Sequence, residues 1–165
     1  SCLIPKPFTP FQWEAQDTME MLAEKQEYLK SKIKNKHIRY VHHDAKVSRI
    51  EAVLARGDRR LSDALELACR EGFCFDAWDE YFDYDKWLSV FERTGVDPAF
   101  YANRKFGNDE ILPWDIIDIG VSKSFMISEN KKAYESLTTP NCKEKCSGCG
   151  ANKLGKELTW CPKRK

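Results

Sequence analysis

Between residues 48 and 98 helix start and stop signals follow one another closely, which confines this stretch to a series of short helices. Ser48 with Glu51 three residues on forms a capping box ahead of Val53 and Leu54, and Gly57 stops that helix. Asp58 can N-cap a second helix over "RRLSDALELACRE", with Gly72 as its stop. "YDKWLSVFERTG" reads as a third, ended by Gly95, and Asp97-Pro98 sets a cap and a first-turn proline for a fourth. At 165 residues the chain is long enough to bury a sizeable core.

Upstream, Cys2, Leu3 and Ile4 form a short extended run, and Pro5, Pro7 and Pro10 then exclude regular helix. Ala15, Met19, Leu22, Gln26, Leu29 and Ile33 fall at helical spacing and mark one face of a long amphipathic helix. "HIRYVHHD", residues 37–44, is β-branched and aromatic and reads as a strand. Strand, helix and strand within 44 residues predict a βαβ unit in an α+β, mainly α chain. "EILPWDIIDIG" (110–120) is broken by Pro113 and fits a short extended segment. "SKSFMISENKKAYESL" (122–137) reads as the last helix, closed by Thr138, Thr139 and Pro140, with a boundary near residue 138.

The last 25 residues hold the strongest chemical signal. Cys142, Cys146 and Cys149 stand in a C-x3-C-x2-C run, and Cys161 follows. Thiolates bind a metal only when several converge on one ion, so the short spacers matter. Gly148 and Gly150 permit the turns that bring the sulfurs inward. Four cysteines suit zinc and suit a [4Fe–4S] cluster equally, and spacing does not choose between them.

Charge narrows the function classes. With 27 basic and 26 acidic residues, the net charge of +1 gives no global pull toward nucleic acid or anionic membranes. Locally the sign shifts: residues 75–92 carry six acids (Asp76, Asp79, Glu80, Asp83, Asp85 and Glu92) against Lys86. Residues 141–165 carry seven basic residues against two acidic ones, a net of +5. No apolar run approaches the roughly 20 residues of a membrane helix, and no signal peptide is visible. The chain lacks an initiator Met and starts as a fragment or processed product would. Seven cysteines, four of them clustered, point to a reducing cytoplasm rather than a disulfide framework.

Other constellations read as structural. His42, His43 and Asp44 end the predicted strand and fit a polar loop better than a ligand site. "RGDRR" (56–60) fits a helical corner with Asp58 as cap, its arginines available to the acidic segment. Trp78, Tyr81, Phe82, Tyr84, Trp87 and Phe91 read as core, with Trp and Tyr polar atoms reaching nearby carboxylates. Cys69 and Cys74 read as small buried hydrophobes. No Ser-His-Asp set, phosphate loop or dinucleotide fingerprint appears.

Taken together, "IPKPFTPFQWEAQD", "KQEYLKSKIK", "HHDAKVSRIEAVLARGDRRL", "FDAWDEYFDYDKW" and "LPWDIIDIGVSKSF", followed by the Cys-rich tail, resemble the C-terminal part of a family of cobalamin-binding-domain-containing radical SAM Fe–S oxidoreductases. The resemblance runs through nearly the whole chain, and Phe8 stands where a His is expected in that family. It implies a parent that binds S-adenosylmethionine on a [4Fe–4S] cluster and cleaves it to a 5′-deoxyadenosyl radical, with a cobalamin-binding-like N-terminal domain. Residues 1–44 would be a late βα unit and strand of the radical SAM-type barrel, residues 45–137 a helical extension, and residues 138–165 a Cys-rich knot. Lys6, Gln12 and Trp13 would lie near substrate at the barrel mouth.

In that superfamily the SAM-binding cluster also uses C-x3-C-x2-C, but at the start of the barrel, usually with an aromatic before the third Cys. Here Gly148 holds that place and a fourth Cys follows. The expectation is a closed, structural or auxiliary site made by Cys142, Cys146, Cys149 and Cys161 in a segment inactive alone. Its partner would be the remainder of the parent. The alternatives are a metal-stabilised helical module that docks a protein or structured RNA, and a plain helical domain with a zinc knuckle.

Overall fold

The structure is a computed structural model that describes residues 4–153. The predicted ligand Cys161 and the residue Cys2 lie outside the described residues. Six α-helices are present among them: α1 (Met19–Lys32), α2 (Ala45–Arg56), α3 (Ser62–Arg70), α4 (Tyr84–Arg93), α5 (Pro98–Ala102) and α6 (Lys123–Tyr134). None is long and apolar enough to cross a membrane.

The mainly α expectation holds, and the βαβ unit does not: no strand occurs among the described residues. Residues 38–44 are irregular, with Ile38 and Val41 exposed. A strand is held by a ladder to its neighbour, and among the described residues no partner strand stands beside this segment. The other predicted extended run falls mostly outside the described residues; Ile4, its last member, is buried.

The chain divides into two compact units. One comprises residues 14–106 with Ile4 and Pro5. Its core gathers Ile50 and Val53 of α2, Leu61, Ala64 and Ala68 around α3, Trp87, Val90 and Phe91 of α4, and Tyr101 and Ala102 of α5. The spacings follow from helical periodicity: 87, 90 and 91 share one stripe, as do 64 and 68. The small residues of α3 let it approach α4 closely. Cys69, one position beyond Ala68, turns off that stripe, so it is exposed, as is Cys74, against expectation.

Arg56 is buried in this unit, with both terminal guanidinium nitrogens hydrogen-bonded. Its Nη1 donates to the Ala102 carbonyl and its Nη2 to the Arg104 carbonyl, each at 2.6 Å. Its guanidinium lies 4.2 Å from the centre of the Phe106 ring. Arg60 pairs within its own corner, with Asp58 at 2.6 Å.

The caps are largely as the sequence signals them. Asp58, Asp83 and Asp97 accept backbone N–H bonds at the starts of their helical segments. Gly72 and Gly95 follow α3 and α4 at φ +79 and +69. The capping box is displaced: α2 begins one turn early, with Asp44 accepting from Lys46 and Val47 N–H at 2.7 and 3.3 Å. Ser48 lies inside the helix and buried, where its carbonyl accepts from Gln16 Nε2 at 2.9 Å.

The second unit comprises residues 6–13 with 107–153. Leu112, Trp114 and Met126 are buried in it. Residues 110–120 form successive turns rather than an extended segment, because Leu112, Trp114 and Asp118 oxygens each accept a local N–H. Ile116 is left 89% exposed.

Candidate functional site

The cysteine loop, residues 141–150, belongs to the second unit and is tied down along its length. Before it, the Glu129 carboxylate of α6 accepts from Lys132 Nζ at 2.7 Å and from Thr139 Oγ1 at 2.6 Å. Lys132 Nζ also donates to Thr139 Oγ1 at 3.0 Å, closing a triad. The Lys132 hydrogen bond, then that of Thr139, lowers the Glu129 carboxyl pKa below its ordinary value. The chain is thus fixed just ahead of the first cysteine.

Asn141 then forms an Asx turn around Cys142. Its Oδ1 accepts from Lys143 N–H at 2.9 Å and Glu144 N–H at 3.3 Å, and its carbonyl from Lys145 N–H at 3.1 Å. Asn141 Nδ2 also donates to the Glu144 carboxylate. Further on, Gly148 and Gly150 hold φ +73 and +100, whereas Ser147 and Cys149 remain at negative φ.

At its far end the loop is pinned to the start of α6. Ser122 N–H donates to the Cys149 carbonyl at 2.8 Å, while Ser122 Oγ accepts from Phe125 N–H as the helix cap. A Cβ on Gly150 would come within 2.9 Å of the Gly120 carbonyl, so only glycine fits this approach.

The donor chemistry fits a thiophilic metal: Cys142, Cys146 and Cys149 are free and half-buried. Position is another matter. Among the described residues no three His, Cys, Asp or Glu side chains are gathered to hold a metal. Cys161 lies outside them, so the structure brings the predicted ligands onto one loop without assembling them into a coordination sphere.

A groove of about 430 Å³ adjoins the loop, and Ser122 helps line it. Gln12 is the one predicted contact residue of Lys6, Gln12 and Trp13 that lines it. Its Oε1 accepts from Trp114 Nε1 at 2.7 Å and Phe8 N–H at 3.0 Å, and its Nε2 donates to Met126 Sδ at 3.7 Å. Trp13 is buried with no partner on Nε1. Lys6 is exposed, its carbonyl accepting from Thr9 Oγ1 at 2.8 Å. Phe8, at φ +57, lines the groove too.

On the groove wall Lys123 Nζ bonds the Glu110 carbonyl at 3.1 Å and Asp115 at 3.3 Å. This pair can orient a polar ligand, but no histidine or cysteine lines the groove to form a nucleophile–base pair. Sequence reasoning missed Ser122 as an anchor, since a backbone bond to a distant carbonyl leaves no trace in residue type. Elsewhere, Asp44 is a helix cap and the His43 carbonyl accepts from Gln26 Nε2 at 3.3 Å, as a structural loop requires. No protein-family model, curated protein or solved structure matches the chain.

Proposed function

We propose that this chain is the C-terminal part of a radical SAM Fe–S oxidoreductase and supplies a closed four-thiolate centre, not the SAM-cleaving cluster. The motif resemblance supports the family. The observation that carries the site is the pinned loop: Ser122 holds the Cys149 carbonyl at 2.8 Å, between glycines at φ +73 and +100. Holding thiols in a defined turn reduces the ordering cost that metal binding would otherwise incur. Four protein thiolates leave no open coordination position, which suits a structural or auxiliary role. Lysines 143, 145 and 153 offset the charge of such a site. Zinc and [4Fe–4S] both satisfy this reading. SAM, its cluster and cobalamin would belong to the remainder of the parent.

Anaerobic purification with iron, sulfide and zinc analysis tests the proposal, alongside an assay for 5′-deoxyadenosine from SAM under reductant. The expected result is one metal centre per chain and no SAM cleavage by the chain alone. A metal-free chain, or SAM cleavage without the parent, contradicts it.

One observation favours a second reading, a metal-stabilised binding module. Three aromatic rings of the acidic segment are exposed, and their acidic setting suits a protein partner over structured RNA.

A further inference from the structure

Residues 75–81 carry a knot of aromatic rings on the surface, among them Trp78 and Tyr81, for which the sequence predicts core. Phe75, Trp78 and Tyr81 are 64%, 56% and 63% exposed. The Phe75 ring meets Trp78 edge-on, with centroids 5.5 Å apart and planes at 72°, and lies 5.9 Å from Tyr81. Phe75 sits at φ +65, a conformation a bulky residue rarely adopts. Turn bonds from Trp78 N–H to the Phe75 carbonyl (2.9 Å) and from Tyr81 N–H to the Trp78 carbonyl (3.0 Å) hold it there. The backbone is strained, yet the rings it carries face solvent.

Beside the knot lies an apolar groove of about 700 Å³ along α2, faced by Asp76, Ala77 and Phe82 of the turns before α4 and by Trp87 of α4. Val47, Leu54, Ala55, Ala77, Phe82 and Trp87 form its walls. Knot and groove are continuous through Asp76, which lines the groove and accepts from Trp87 Nε1 at 2.8 Å. Asp79 and Glu80 are exposed between the rings. The one basic residue of 75–92, Lys86, lies 3.6 Å from Asp83.

We propose that this face docks a basic amphipathic helix of a partner protein. Apolar side chains of that helix enter the groove, and its Lys or Arg residues lie over the rings and carboxylates. Three features select this occupant. An apolar groove running along a helix takes an apolar helix face, and no strand edge is offered among the described residues for an extended peptide. Ring faces attract cations, and neighbouring carboxylates add attraction and steering. The same carboxylates repel nucleic acid and anionic lipid. A second copy is disfavoured because a two-fold contact would oppose this acidic face to itself. The inference stands independently of the cysteine loop.

The test uses the full chain and two fluorescein-labelled helical peptides with identical leucines at i, i+3, i+4 and i+7, flanked in one by lysines and in the other by glutamates. Anisotropy should show binding of the lysine peptide, weakening with salt. Trp78→Ala and Tyr81→Ala should each weaken it about tenfold or more. Both rings are exposed, so circular dichroism should be unchanged; if Trp78→Ala fails to fold, Tyr81→Ala carries the test. Equal binding of the glutamate peptide, affinity indifferent to both variants, or competition by single-stranded RNA overturns the proposal. So does a dimer of the chain that Tyr81→Ala dissociates.

Discussion

Trp114 Nε1 donates to Gln12 Oε1 at 2.7 Å across 102 residues of sequence, joining residues 6–13 to the turns of 107–120. The same oxygen accepts from Phe8 N–H, so one amide satisfies two donors. Gln12→Leu strands both: the buried Trp114 N–H costs about 1–3 kcal/mol and the part-buried Phe8 N–H about 1 kcal/mol. Urea unfolding should show a loss of about 2–4 kcal/mol, and Gln12→Glu, which keeps an acceptor, should lose less. Equal stability of Gln12→Leu and the parent chain would remove Gln12 as a pin.

The cysteine loop depends on glycine at position 150. Gly150→Ala adds a Cβ 2.9 Å from the Gly120 carbonyl at a residue with φ +100. The backbone penalty alone is about 1–2 kcal/mol. Metal should leave this variant faster than the parent chain in a chelator challenge. Unchanged loss kinetics would mean that the loop's shape does not govern metal retention.

Asp58 ties the second helical corner to pH. Its carboxylate receives Arg60 Nε and Nη2, Arg60 N–H and Tyr101 OH, and the Arg60 side chain chiefly lowers its pKa to about 2. A carboxyl whose folded pKa is depressed stabilises the fold above its unfolded pKa, and that contribution disappears as pH falls through the folded value. The Asp58 contribution should therefore be fully present and independent of pH near neutrality, and be lost between about pH 4 and pH 2. Asp58→Asn should flatten that part of the acid-unfolding profile. A carboxyl resonance of Asp58 titrating near the ordinary aspartate value contradicts the geometry.

Signals that act within one turn were legible in the sequence, and those that need a distant partner were not. Asp58, Asp97, Gly72 and Gly95 mark helix ends because a cap is settled by its neighbours alone. Ser48 and Asp44 are both residue types that cap helices, one turn apart; Asp44 takes the cap, and Ser48 lies buried inside the helix with its carbonyl accepting from the distant Gln16. Residues 38–44 have strand composition but no strand to pair with. Trp78 and Tyr81 share the composition of Trp87, but only Trp87 occupies a helix stripe that faces the core. At the site, cysteine spacing was readable, whereas the bond from Ser122 to Cys149 joins backbone atoms that carry no residue code.

The central claim is that Cys142, Cys146, Cys149 and Cys161 close around one metal centre. X-ray absorption at the edge of the metal retained by anaerobically purified chain tests it most directly. The account predicts about four sulfur neighbours at about 2.3 Å per metal; with Cys161 replaced by Ser a zinc ion keeps about three, whereas in a [4Fe–4S] cluster one iron alone loses its cysteine sulfur. A metal bound mainly by nitrogen or oxygen, or a bound zinc whose sulfur count is unchanged by Cys161→Ser, would contradict it.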